Sequence, residues 1–310
     1  MTNITSSSSP AKAWVVTGPT SGIGRRTALQ LARHGTVVLA GRDPRKLAEV
    51  QAKIQADGGH AIPVVADFSD VASVRRAAAE ITALNLPIAG VLNNAGIMTL
   101  TPSKSAQGWD LAFATNHVGP FAFTEALIPH LANGTNVVFT ASAVEDSERK
   151  IAVTAGFRGS RYISAEASAR GEWKPGGSTH AGADAYATSK QGNLATVFAL
   201  SREIPRLHFR AVEPGVNPGS NLIREMNPAI RLVSKAMSPI APLIPYYSTP
   251  KRAARVITDV LTDTSDATGV YYNENGKPMQ ASKQVSDPEY ANRYVAETRA
   301  LLATAPSRAS

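Results

Sequence analysis

The stretch "AWVVTGPTSGIGRRTALQLARHG", residues 13–35, is the part of the chain from which the rest is read. Its first six residues, Ala13 to Gly18, are rich in β-branched side chains and end on glycine, which predicts a strand. From Gly24 to Gly35 apolar positions recur at helical spacing and stop at a glycine, which predicts a helix. Between the two, Gly18, Gly22 and Gly24 are spaced G-x-x-x-G-x-G. Residues without side chains let the backbone turn sharply and approach a pyrophosphate. The following helix offers free N–H groups and the positive end of its dipole to that anion. Glycines also make ordinary turns; the strand–turn–helix setting favours the phosphate reading.

The alternation continues downstream. Strands are predicted at "TVVLAGR" (36–42), "AIPVVADF" (61–68), "AGVLNNAG" (89–96), "TNVVFTAS" (135–142) and "LHFRAVEPG" (207–215). Helices are predicted over 43–59, with Pro44 near the start, and over 69–84, with Ser69 or Asp70 as cap. Two long helices are predicted over 108–131 and 183–204. Such alternation means right-handed βαβ units, hence an α/β fold with a doubly wound parallel sheet and helices on both faces. Two stretches break the rhythm: the polar, Gly-rich 143–182 and the apolar, Pro-broken 221–250. Loops of such length are functional or disordered.

Composition narrows the function. The chain has 310 residues, 43% hydrophobic and 18% charged, which is globular rather than disordered. It has no cysteine, which excludes disulfides, thiolate catalysis and Cys-bound metal, and fits a reducing cytoplasm. The start "MTNITSSSSP" lacks a basic n-region and an apolar h-region, so it reads as a short flexible tail (1–11) rather than a signal peptide. No apolar run is long enough for a transmembrane helix. The net charge of +8 is either a solvated basic surface or an attraction for an anionic ligand. Basic residues interleaved with aromatics are missing, which argues against nucleic acid. No acidic–histidine cluster at metal spacing occurs, so no metal is expected. At the end of the second strand, where an NAD binder usually offers an acid, stand Gly41 and Arg42. Arg42 suits the 2′-phosphate of NADP(H); the competing reading gives Asp43 the acid's part, with NAD(H).

In this order "TGPTSGIG", "NNAG" (93–96), Asn116, Ser142, "YATSK" (186–190) and "EPG" (213–215) together resemble the short-chain dehydrogenase/reductase family over nearly the whole chain. "GIGRRTALQLARHG", "AGRD" and "AYATSKQGNLATVFAL" look most like its retinol-dehydrogenase and WW-domain-oxidoreductase branch. The resemblance implies a single Rossmann-fold domain over 12–305, with 143–182 and 221–250 as substrate-loop insertions. It implies that the turn residues Gly18, Thr20, Ser21, Gly22, Ile23 and Gly24 hold the cofactor. Asp67 and Phe68, ending the third strand, would meet the adenine. Asn94, Ala95 and Gly96 would line the adenosine ribose. Pro214, Gly215 and Val216 would close over the nicotinamide, and Ser220 would contact the cofactor. Dimers or tetramers are usual in the family, so a homo-oligomer is possible.

A carbonyl being reduced gathers negative charge on oxygen and needs a proton donor and a polarising hydrogen bond. Tyr186 and Lys190 lie four apart, on one helix face, so the ammonium can favour the phenolate. Tyr186 is assigned as general acid/base, Lys190 as its tuner and a ribose ligand, and Ser142 as polariser. Following the family, Asn116 is the relay that holds a water toward Lys190. Thr188 and Ser189 read as small packing residues, His117 and His130 as packing or surface. Ile163, Trp173, Met226, Leu243, Ile244, Tyr246 and Tyr247 suggest a bulky lipophilic or aromatic substrate, or else only pack the two loops onto the core. The reading is an NADP(H)-dependent oxidoreductase of ketones or secondary alcohols. A non-catalytic NADP(H)-binding sensor or scaffold is the alternative.

Overall fold

A computed structural model describes residues 12–99, 101–180, 182–217 and 246–305. Seven strands form one sheet: β1 (Ala13–Thr17), β2 (Thr36–Gly41), β3 (Ala61–Val65), β4 (Ile88–Asn93), β5 (Asn136–Thr140), β6 (His208–Val212) and β7 (Val270–Tyr272). Their order is β3-β2-β1-β4-β5-β6-β7, and every neighbouring pair is parallel. The chain winds outward from β1 to β3, then returns and winds the other way from β4. A crevice therefore opens between β1 and β4 at the carboxyl ends of the strands, the usual ligand position in such sheets.

Alternation along each strand builds two cores. Val15, Val38, Val91 and Val137 face one side, with α3 (Val71–Ala83), α5 (Gly119–Leu127) and α8 (Ala183–Glu203). Val16, Leu39, Leu92 and Val138 face the other, with α1 (Gly22–Leu31), α2 (Pro44–Ala56) and α9 (Pro250–Thr262). Both faces are covered, which is why the strands are nearly continuous apolar runs. The strands end one to three residues earlier than the sequence suggests. Asp67 and Phe68 lie beyond β3, Asn94 to Gly96 beyond β4, and Ser142 beyond β5. These residues thus occupy loops at the crevice rather than ladder positions.

The helix expected over 108–131 starts at Leu111 and has three registers: α4 (Leu111–Phe113), a π segment (Ala114–Val118) and α5. Asp110 caps it, accepting from the Phe113 N–H at 2.8 Å. A π insertion of this kind is frequent where a helix must aim a side chain, and Asn116 sits inside this one. Asp70, not Ser69, caps α3 through the Ala72 N–H at 3.1 Å. His117 is buried among Phe113, Phe121 and Tyr294, and burial pulls its pKa down to about 3. His130 is exposed.

The 143–182 stretch carries short helices α6 (Lys150–Thr154) and α7 (Ala165–Arg170). It is fastened to α8 and to α11 (Pro288–Thr304), the last helix, which follows α10 (Lys283–Ser286). The Tyr162 ring stacks on Tyr294 at 3.7 Å, and its hydroxyl donates to Glu297 at 2.5 Å. The same carboxylate accepts the Ala165 N–H at 3.1 Å, and Arg161 N–H donates to Thr188 at 2.8 Å. Trp173 packs edge-on against Phe113 and joins the core, whereas Ile163 is exposed. Of the 221–250 stretch only 246–250 are described; Ser220, Met226, Leu243 and Ile244, like the tail 1–11, lie outside the described residues. Among those described, no helix is long and apolar enough to cross a membrane.

Gly119 opens α5 against the Phe68 turn. A Cβ there would lie 2.0 Å from the Phe68 carbonyl oxygen, backbone against backbone. Helix propensity alone favours Gly119→Ala by about 1 kcal/mol. The clash outweighs it, and chemical denaturation of Gly119→Ala is expected to show a net loss of about 1–3 kcal/mol.

Candidate active site

The glycine turn is held by the loop after β4. Thr17 Oγ1, buried at the end of β1, accepts the Asn94 and Ala95 N–H groups at 2.8 and 2.9 Å. Asn94 Nδ2 donates to the Thr17 carbonyl at 3.1 Å. Asn93 instead ties β4 to α5, donating to Thr124 at 2.9 Å. Gly18 and Gly22 have φ of +64° and +54°, the left-handed region. A Cβ on Gly24 would lie 2.3 Å from the Gly18 carbonyl oxygen and 2.5 Å from Asn94 Nδ2. The turn is therefore as close as backbone allows. No side chain caps α1 and no acid stands in its first turn, so its first N–H groups are left to an anion. Thr20 and Ser21 are partly exposed, Gly22 is open, and Ile23 packs toward the second core.

Arg42 is exposed just past β2. Asp43 caps α2, accepting the Arg45 and Lys46 N–H groups at 3.1 and 3.2 Å and pairing with the Lys46 amine at 3.4 Å. The backbone hydrogen bond of Lys46 above all holds its carboxyl below the ordinary range. The acid is thus engaged by its own helix. Asp67 accepts from the Ser69 N–H and hydroxyl at 2.9 and 2.7 Å and shapes the loop after β3. The Phe68 ring points into the core, edge-on to Phe123 at 5.4 Å, so only its backbone is available to a ligand.

On the other side of the crevice, α8 presents Tyr186 and Lys190. Lys190 is 3% exposed; its amine donates to the Thr140 carbonyl at the end of β5, 2.9 Å away, and lies 5.5 Å from the Tyr186 ring centre. Burial pulls its pKa down to about 8, against the opposing charge of Glu213. The phenol of Tyr186 moves the other way. Burial raises its pKa, the Glu213 charge adds to this, and the hydrogen bond with Ser142 opposes it. Desolvation is the largest cause, so the net shift of Tyr186 is upward, opposite to the one expected from the ammonium alone. Ser142 stands on an extended backbone beside the phenol and is itself buried.

Asn116 is fully engaged. Its Oδ1 accepts the Ile97 N–H and its Nδ2 donates to the Ile97 carbonyl, both at 2.8 Å, and to Ser189 Oγ at 3.1 Å. Ser189 in turn donates to the Tyr186 carbonyl at 2.7 Å. Thr188 and Ser189 are therefore polar anchors and not only small packing residues. A Cβ on Gly96 would lie 3.3 Å from Asn116 Oδ1 and 3.7 Å from Lys190 Nζ, so the β4 loop, the π segment and α8 meet there.

The turn after β6 is also built. Val216 exchanges backbone hydrogen bonds with Tyr246 and Ser248 at 2.9 Å each, and Asn217 Nδ2 donates to the carbonyls of Pro214 and Gly215. Val216 and Tyr246 are exposed, and Tyr247 is partly buried. Thr17 and Glu213 stand inside the motifs "TGPTSGIG" and "EPG" with no role of their own read from them, and Phe157, whose ring centre is 6.5 Å from that of Tyr186, lies in no motif. Thr17 was visible as a hydroxyl at an apolar strand end, and Phe157 as the aromatic residue of "AGFRGS".

Residues 12–155 match the family model of the short chain dehydrogenases. A short-chain dehydrogenase/reductase of Armillaria gallica is 32% identical over 226 residues, 70% of this chain and 68% of that one. Human retinol dehydrogenase 11 is 38% identical over 125 residues, 39% of each chain. The structure of a short chain dehydrogenase from Burkholderia cenocepacia in complex with NADP has a TM-score of 0.64 at 23% identity, covering 86% of this chain and 97% of that one.

Removing the Asn116 amide leaves the Ile97 N–H and carbonyl unpaired next to Lys190. Asn116→Ala is expected to lower stability in urea unfolding by about 1–3 kcal/mol.

Proposed function

Since the chain belongs to the short-chain dehydrogenase/reductase family, we propose that it moves a hydride between NADP(H) and a ketone or secondary alcohol, with Tyr186 as general acid and base. The observation that carries this reading is the placement of Tyr186, Lys190 and Ser142 at the carboxyl edge of the sheet, across the β1–β4 crevice from an uncapped glycine turn. The residues fit a dinucleotide: the turn leaves no room for a Cβ at Gly24, and the α1 N–H groups have no side-chain partner. When bound, the nicotinamide supplies or accepts the hydride.

The chain's own groups handle the proton. In the reducing direction Tyr186 starts as phenol, consistent with the upward direction of its shift, and gives its proton to the oxygen that gains charge. Ser142 hydrogen-bonds that same oxygen. Lys190, buried beside the ring, stabilises the phenolate left behind. Asn116 is read as the relay toward Lys190, as the family resemblance implies, and its hydrogen bonds to the Ile97 backbone and Ser189, and through Ser189 to the first turns of α8, hold it in place.

Arg42 is read as the partner of a 2′-phosphate because Asp43 is engaged as a cap; Ser21 adds no charge at the turn. The substrate is read as bulky and lipophilic or aromatic. Phe157 stands beside the phenol, and Val216 and Tyr246 offer exposed apolar surface at the neighbouring turn. Relatives named retinol dehydrogenase and polyprenol dehydrogenase support that class.

Tyr186→Phe removes the transferable proton and leaves the ring. On a panel of lipophilic ketones with NADPH, its kcat is expected to fall about 10²–10⁴-fold while NADPH binding by calorimetry is kept; unchanged turnover refutes the assignment. Arg42→Ser is expected to weaken NADPH binding about tenfold to a hundredfold, the loss of a charge-assisted hydrogen bond, with little effect on NADH. Equal weakening of both nucleotides would remove Arg42 from the 2′-phosphate.

A further inference from the structure

Glu213 is the first residue past β6 and is 9% exposed. Its backbone N–H is fixed to the Tyr272 carbonyl of β7 at 2.8 Å. One carboxylate oxygen accepts the Gly215 N–H at 3.1 Å. The other accepts the Ala143 N–H and the Tyr271 hydroxyl, the latter at 3.3 Å. Ala143 follows Ser142, and Gly215 opens the turn that carries Val216. One buried side chain thus ties the loop after Ser142 to the turn at Gly215.

All three of these partners are donors. A carboxylate is acceptor-only and satisfies every one, whereas a glutamine would turn its amide N–H₂ toward a backbone N–H. The arrangement therefore selects the acid. Among the described residues no Lys or Arg lies within ion-pair distance of Glu213. The ionisable groups that face it are Tyr186 and Lys190 from α8, Tyr271 from β7 and Glu274 from the turn after β7. Beyond Tyr271 stand Glu145 and Arg149. Lys190 is the nearby positive charge at the site, and it is itself buried.

We propose that Glu213 is a positioning residue whose negative charge keeps the proton on the Tyr186–Lys190 pair while its two oxygens pin the Ser142 and Gly215 turns around that pair. The consequence rests on the hydride-transfer reading: a site that retains its proton favours carbonyl reduction, which starts from phenol, over alcohol oxidation, which starts from phenolate. The signs agree. A carboxylate near an ammonium favours the ammonium, and near a phenol it disfavours phenolate. The Glu213 charge acts in these two directions on Lys190 and Tyr186, while burial resists the ionisation of Glu213 itself.

The test reads the Lys190 amine directly and needs no turnover, so it stands apart from the Tyr186→Phe assay, whose failure alone would remove the hydride-transfer reading. In lysine-labelled full-length protein, the Lys190 Nζ resonance is followed by NMR across pH in the wild type, Glu213→Gln and Tyr271→Phe. Glu213→Gln is expected to lower the Lys190 midpoint by about one pH unit. Tyr271→Phe, which disturbs the same loops but keeps the charge, is expected to leave it in place. An unchanged midpoint in Glu213→Gln, or an equal shift in Tyr271→Phe, overturns the proposal. If Glu213→Gln does not fold, the wild type still decides. Its Lys190 resonance should carry a second, smaller inflection on the acid side as Glu213 takes up a proton, and the lack of one overturns the proposal as well.

Discussion

An ammonium placed inside a protein is costly unless something nearby compensates it. Here the Lys190 amine reaches from α8 across to the last carbonyl of β5 at 2.9 Å, and that one contact links the sheet edge to the helix that carries Tyr186. The same carbonyl also receives the Asn193 amide at 3.3 Å, so α8 is held to Thr140 at two points. The phenol, the Ser142 turn and the β4 loop are arranged around this buried amine. Burial is the largest cause of both its depressed basicity and the upward shift of Tyr186, although Tyr186 keeps part of its surface open to the crevice.

The surroundings explain why so much chain is devoted to this corner. The stretch 143–182 is an arch whose inner side chains hold α8 and α11 together. Tyr162 stacks on Tyr294, and Tyr294 donates to the Thr188 carbonyl at 3.0 Å, two residues before Lys190. Glu145, buried three residues after Ser142, accepts from Ser282 and from Gln191, the neighbour of Lys190. Gln191 in turn accepts from Tyr290 at 2.7 Å. The polar partners on both flanks of Tyr186 are thus set by residues from the C-terminal end of the chain. The phenol sits on a rigid base, and the open side of the crevice is left for ligand.

Much of this was legible in the residue pattern. The glycine turn, the strand-end place of Ser142 and the Tyr186–Lys190 pair on one helix face follow from periods and local chemistry, which act over a few residues, whereas the place of Asn94 follows from the family resemblance. Long-range contacts were not legible. Nothing near Tyr162 announces Glu297, yet their hydrogen bond orders the segment that reads as loop. β7 is only three residues long and is placed by its neighbours. Fully buried Arg210, on β6, donates to the carbonyls of Val260, Ser265 and Ala267 and pairs with Asp263 at 3.0 Å, fixing the connection that leads into β7. The Phe68 ring turns into the core and leaves only its backbone toward the expected adenine site, because a motif gives a position but not the direction of a side chain. The upward shift of Tyr186 is hidden from the sequence for a related reason: desolvation depends on everything packed around the ring, and no sequence window contains that.

The account centres on a proton held at Tyr186 beside a hydride route from the crevice. It is tested most directly by isotope transfer with the wild-type protein, NADPH carrying deuterium at the transferable ring position, and a lipophilic ketone. Mass spectrometry of the alcohol is predicted to show one deuterium on the carbinol carbon, with none arriving there when the label is supplied only as D₂O. An unlabelled carbinol carbon, or label that comes from solvent, would contradict it.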